Sequence, residues 1–270
     1  MSEPLERIAA ALERLAPPPP PAADPLAHSA YVWRAGALAP SSLAAQPLDA
    51  LVGIERQKEA LVANLRRLAA GHAAHDTLLW GARGTGKSAL VKAAVAAVQG
   101  EGGNLALVEV FQTETLPALF AAVGSVPRAF AVFIDDLGFD AAGEGRALRS
   151  MLEGGAAARP DNVRLLVTSN RRHLLPRDVG EQESAINPRD SIDDQLALAD
   201  RFGLSLGFHA LDQDGYLAIV AGYAALHALP FDAADAVQWA TRRGSRSGRV
   251  AWHYVVEVAG REGRALPYGA

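Results

Sequence analysis

Gly81-Ala82-Arg83-Gly84-Thr85-Gly86-Lys87-Ser88 reads G-x-x-x-x-G-K-[ST], the Walker A phosphate-binding loop. Its flanks supply the setting that motif needs. Thr77-Leu78-Leu79-Trp80 before it is a short apolar run suited to a buried strand, and Ala89 to Val95 after it is an Ala-rich stretch with strong helix propensity. The glycines allow backbone with positive φ, so that successive N–H groups can wrap a phosphate while the next helix points its positive end at the same anion. Lys87 is then placed for the β- and γ-phosphates, and the Ser88 hydroxyl for Mg²⁺. Lysine stands only at 58, 87 and 92, every other basic side chain being arginine. In so lysine-poor a chain, a lysine inside a glycine loop points to a role.

Outward from the loop, Leu51-Val52-Gly53-Ile54 begins the compact part, and a helix over 55–70 carries Leu61, Leu65 and Leu68 on one side. Gly100 to Gly103 turn the chain into a strand at 105–110, and a helix follows around 116–123. Ala131-Val132-Phe133-Ile134 is near-continuously apolar, as a parallel strand buried on both faces must be, and ends in Asp135-Asp136. Carboxylates at the carboxyl end of such a strand lie where open α/β sheets bind ligands. This is a Walker B pattern, in which Asp135 holds Mg²⁺ and Asp136 orients and polarises an attacking water.

A helix over 143–153 leads to a further strand, Val163 to Val167, ending in Thr168-Ser169-Asn170. Asn170 is the first choice to hydrogen-bond the water or the γ-phosphate, with Thr168 in reserve. Residues 180–195 are acidic and nearly free of large apolar groups, which predicts an exposed loop. Leu204 to Phe208 make a fifth strand, and helical patterns over 213–228, 232–243 and 248–260 complete an α/β unit followed by a small helical unit. At the other end, Leu5, Ile8, Leu12 and Leu15 mark an amphipathic helix over 3–16, a docking arm or a helix packed on its own domain. Pro17 to Pro21 form a stiff spacer, and 22–50 reads as a loosely structured lead-in.

Composition narrows the class. The 270 residues suit one or two domains with a large core, and the absence of cysteine removes disulfides and thiolate metal sites. No apolar run approaches a membrane span and residues 1–16 lack a secretory pattern, so the reading is cytoplasmic with no membrane partner. A net charge of −4 advertises no general affinity for nucleic acid, though Arg171, Arg172 and Arg177, or Arg242, Arg243 and Arg246, are local exceptions that solvation or ion pairing also explains. His72 and His75 stand three apart without further ligands, a weak metal signal.

Together these motifs resemble the AAA+ ATPases over residues 51 to about 262, which implies a P-loop NTPase with a five-stranded parallel sheet, flanking helices and a C-terminal helical lid. The resemblance implies three parts: 1–50, a nucleotide-binding domain over 51–209 and a lid over 210–270. It also implies that Val52 and Gly53 contact adenine and that Gly81, Ala82, Arg83, Gly84, Thr85, Gly86, Lys87 and Ser88 hold the phosphates of ATP. Asn170 takes the sensor 1 position. Leu198-Ala199-Asp200-Arg201-Phe202-Gly203 is similar to the box VII segment of replication initiators and branch-migration motors, making Arg201 an arginine finger offered to the next subunit of a homo-oligomer. Ser247-Gly248-Arg249 opens the last helix as sensor 2 does, bringing Arg249 to the nucleotide. The strings around 52–57, 168–173 and 243–249 look like a bacterial AAA+ family labelled only as of unknown function. Two departures stand out: Asp-Asp ends Walker B where many members have Asp-Glu, and Arg83 replaces a common loop proline. Hydrolysis that remodels or loads a protein or nucleic-acid partner is the leading reading, with an ATP-dependent assembly switch and a P-loop small-molecule kinase behind it.

Overall fold

The computed structural model describes residues 7, 22–137, 151–152, 159–170 and 200–266. The expectations for 3–16, the proline spacer at 17–21, most of 143–153, the acidic 180–195 loop and the arginines at 171, 172 and 177 lie outside the described residues.

Among the described residues seven strands form one sheet: β1 (Ala30–Arg34), β2 (Ala37–Ser41), β3 (Thr77–Gly81), β4 (Leu105–Glu109), β5 (Ala129–Ile134), β6 (Val163–Ser169) and β7 (Leu204–Phe208). Their order is β2-β1-β4-β5-β6-β3-β7. The five strands read from the sequence are contiguous as β4-β5-β6-β3-β7, each parallel to its neighbour. The lead-in reading of 22–50 fails for Ala30–Ser41: β1 adds to β4 in parallel and β2 folds back on β1 through Ala35-Gly36. Alternation explains why β1 belongs there, since Tyr31 and Trp33 point into the core while Ala30 packs on the other face.

Both faces of the sheet are covered. Side chains from successive residues divide between two clusters: Leu78, Phe130, Val132, Ile134, Leu165 and Val167 on one, Leu79, Ala129, Ala131, Phe133 and Leu166 on the other. The first is capped by α3 (Leu116–Val123) and the second by α1 (Glu55–Ala69) and α2 (Lys87–Gly100). Two-sided burial is why the strands read as apolar runs rather than alternating ones. The stripe Leu61, Leu65 and Leu68 on α1 is fully buried, each side chain contributing about 1.5–3 kcal/mol by leaving water.

Three helices close the fold, α4 (Gln213–Leu226), α5 (Ala233–Arg242) and α6 (Gly248–Arg261). Each starts with a side-chain cap: Asp212 accepts from Gly215 N–H, Asp232 from Ala234 N–H and Ser247 from Val250 N–H. Their apolar faces meet in a core of their own built on Tyr216, Val220, Ala236, Ala251, Tyr254 and Val255, with Val52 packed against it.

At the carboxyl end of β3 the backbone of Gly81 has φ +129°, and a Cβ there would lie 2.0 Å from Phe208 O on β7. Gly81→Ala combines backbone strain with a clash against main chain, so a loss of about 3 kcal/mol is expected in urea denaturation. Gly260→Ala, inside α6 with open space at its Cβ, should instead gain about 0.5–1 kcal/mol.

Candidate nucleotide-binding cleft

β6 lies between β5 and β3, so the carboxyl ends of these three strands deliver their polar residues to one place. The glycine loop leaves β3, Asp135-Asp136 leaves β5, and Thr168 to Asn170 leave β6. The Asp135 carboxylate accepts from the Ser88 hydroxyl and from the Thr168 hydroxyl, each 2.6 Å from Oδ1. Thr168 Oγ1 also accepts from the backbone N–H of Asp136 at 2.8 Å, and Asn170 Nδ2 donates to Asp136 Oδ1. Asp136 adopts φ +54°, an unusual conformation for a residue with a side chain, held by those two partners. Both residues proposed from β6 therefore engage the acidic pair, Thr168 at the first carboxylate and Asn170 at the second.

Gly84 and Gly86 turn the loop with φ +71° and +93°, and α2 starts at Lys87. Ala82 is buried beside Gly81, and the Thr85 hydroxyl donates to Ala82 O at 2.8 Å, tightening the turn. Lys87 is 5% exposed, and its ammonium donates to Gly81 O at 3.0 Å and Ala82 O at 2.7 Å. Burial lowers its pKa to about 8 against the opposing pull of Asp136 and Asp135, with Arg83 adding to the lowering.

From the loop Arg83, Gly84, Gly86, Lys87 and Ser88 line a cleft of about 490 Å³ together with Asp135, Asp136 and Asn170, while Gly81, Ala82, Thr85 and Thr168 stand behind its wall. Arg83, Lys87 and Arg249 set three cations against Asp135 and Asp136, a balance suited to a polyphosphate carrying one divalent ion. The α6 start reaches the loop directly, for Gly248 N–H donates to Gly84 O at 2.7 Å and a Cβ on Gly84 would lie 2.9 Å from Ser247. Arg249, expected near the nucleotide, lies on the cleft wall.

The expected adenine contacts fall differently. Leu51 lines the cleft, whereas Val52 turns to the lid core and Gly53, with φ +82°, is exposed at the start of α1. Gln46, Tyr223 and Trp252 line the same end and escaped sequence reasoning. The two aromatics were visible as rare residues on the lid helices, but nothing in sequence ties them to a loop more than a hundred residues away. Arg201 precedes β7, at the amino ends of the strands and so across the sheet from the glycine loop; Phe202 beside it is buried in the core. It is not a lining residue of this chain's own cleft. The His75 ring packs against Gly203, whose Cβ would lie 2.2 Å from Nδ1, and Arg243 stacks 4.4 Å over the Trp239 ring; both serve local structure.

Among the described residues no helix is long and apolar enough to cross a membrane. The fold is that of AAA+ P-loop proteins of the RuvB type. The Thermotoga maritima RuvB Holliday junction branch migration motor superposes over 82% of this chain and 68% of its own, with a TM-score of 0.53 and 18% identity. Two mutants of that motor match similarly, one with a TM-score of 0.54, 18% identity and the same coverage, the other with 0.53, 17% identity and coverage of 83% and 68%. No curated protein matches the sequence. A family model described as "Protein of unknown function (DUF815)" matches residues 26–262, and the chain belongs to that family.

Proposed function

We propose that the chain is an ATPase of the AAA+ class, binding ATP with Mg²⁺ between the α/β unit and the helical lid. The observation that carries this reading is the meeting of Ser88, Asp135, Asp136, Thr168 and Asn170 beside Lys87. Ser88 and Asp135 present hard oxygen donors already within hydrogen-bond reach of each other, a set that fits Mg²⁺. Bound there, Mg²⁺ neutralises charge on the β- and γ-oxygens. Lys87, Arg83 and Arg249 offer cations to the phosphates. Asp136, steadied by Asn170, orients the attacking water and takes up its proton.

Arg201 lies before β7, at the end of the strands opposite its own cleft, which supports a homo-oligomer in which it serves the neighbour's. The division into a nucleotide-binding unit over 51–209, extended at its edge by β1 and β2, and a lid over 210–270 lets nucleotide state move the lid and with it a bound partner in the cytoplasm. That partner is a protein or a nucleic acid. Because RuvB is a branch migration motor, branched DNA is the first nucleic acid to try. The assembly-switch reading draws on Asp136, a shorter acid whose carboxylate already takes a hydrogen bond from Asn170.

ATPase rate measured against protein concentration tests the proposal. A rate rising with assembly supports the motor, whereas tight binding without turnover at any concentration leaves the switch. Arg201→Ala should keep nucleotide affinity and lose about a thousandfold of the assembly-dependent rate. Asp136→Asn should bind and not turn over, and Lys87→Ala should lose binding of fluorescent mant-ADP. Nucleotide affinity should also depend on pH through Lys87. Below about 8 the ammonium is charged before binding, and above it the charge must be regained. Affinity should therefore be level from pH 7 to 8 and then fall by up to about tenfold per pH unit. A flat profile to pH 10 would remove Lys87 from phosphate binding.

A further inference from the structure

The cleft has two chemically distinct ends. The loop, the acidic pair and the cations make one. Gln46, Leu51, Tyr223 and Trp252 make the other, and they come from separate stretches of the chain. Tyr223 and Trp252 meet edge to face, ring centres 5.4 Å apart, and His227 backs Trp252 at 5.6 Å. Tyr223 is 6% exposed, and its hydroxyl donates to Gln46 Oε1 at 3.2 Å. Burial raises the Tyr223 pKa despite the Gln46 hydrogen bond, so the hydroxyl keeps its proton near neutrality and remains a donor. The turn that follows Gln46 is held as well: Lys58 Nζ donates to Leu48 O at 3.3 Å and Leu51 O at 2.8 Å.

An aromatic and aliphatic wall with one oriented carboxamide matches a purine, whose faces are apolar and whose edge carries hydrogen-bonding groups. The carboxamide offers a donor beside an acceptor. Adenine presents the complementary pair, an N7 acceptor beside the N6 amino donor, whereas guanine presents two acceptors, N7 and O6, on the same edge.

We propose that Gln46 selects the base of the nucleotide, accepting adenine and rejecting guanine, with Tyr223 fixing which way round its amide faces. The proposal rests on the nucleotide reading above. Tyr223 occupies one lone pair of Oε1 and leaves the other, beside an Nε2 hydrogen, for the base edge. Against guanine the remaining Oε1 lone pair would face an acceptor, and turning the amide over to avoid this removes the acceptor that the Tyr223 hydroxyl uses. Neither residue belongs to the phosphate machinery, so base preference and phosphate binding separate by mutation.

The test is displacement of mant-ADP from the full chain with Mg²⁺ by unlabelled ADP and GDP. The unmodified chain should prefer ADP by about tenfold or more. Gln46→Leu should weaken ADP by about tenfold and leave GDP within about twofold, collapsing the preference. Tyr223→Phe, which keeps the ring, should narrow the preference by easing GDP binding while ADP affinity largely persists. Circular dichroism and thermal melts on both variants establish that they fold. A folded Gln46→Leu that retains the full preference overturns the inference. So does equal binding of ADP and GDP by the unmodified chain, which leaves the nucleotide-binding reading intact. Absence of binding to either nucleotide overturns both.

Discussion

A single carboxylate oxygen, Asp135 Oδ1, receives hydroxyls from two other elements of the sheet, Ser88 after the β3 loop and Thr168 at the end of β6. That double contact is possible only because β6 runs between β5 and β3 with all three strands parallel and in register. A slip of one residue in β6 would turn Thr168 to the other face and leave Asp135 without its second partner. The strand order, the loop and the acidic pair are thus one constraint, seen at three places in the chain. The apolar runs on both faces supply the energy that holds the register. The polar residues at the strand ends add little stability but depend on it entirely.

Much of this was legible from the sequence for identifiable reasons. The parallel strands announced themselves because two-sided burial leaves no polar interruptions, and the carboxyl ends announced themselves because the runs stop at Asp135-Asp136 and Thr168-Ser169-Asn170. The lid helices were placed nearly to the residue, since Asp212, Asp232 and Ser247 cap them. The β1–β2 edge pair was not legible. Its ten strand residues are rich in alanine, include a proline in β2, and carry only Tyr31, Trp33 and Leu38 as large buried groups, too few to show a period against the alanines around them. The apolar end of the cleft was hidden for another reason. Gln46, Tyr223 and Trp252 meet only through tertiary folding, and no local pattern links a residue after an edge strand to two lid helices.

The scarcity of lysine turned out to be informative beyond the glycine loop. Lys58 grips the turn at Leu48 and Leu51, Lys87 sits under the loop, and Lys92 on the same helix pairs with Glu109 at the end of β4 at 2.7 Å. The first two ammoniums therefore steady segments that line the cleft, and the third ties α2 to β4. The Lys58 and Lys87 contacts exploit a compact cation with several donors, a shape that converging carbonyls suit better than they suit a planar guanidinium.

The Gly248 to Gly84 hydrogen bond joins the roof of the cleft to its floor by main-chain atoms. Water can replace such a bond at a net cost of only about 0.5–1.5 kcal/mol, comparable with a few units of thermal energy. Taken by itself this bond is a light catch rather than a bolt, and the Val52 packing and the Tyr223–Gln46 hydrogen bond share the hold on the roof. Because the catch is made of backbone, side-chain replacement cannot retune its chemistry. Its tightness is governed by how closely Ser247 is allowed to sit on position 84, which leaves no room there for anything larger than hydrogen.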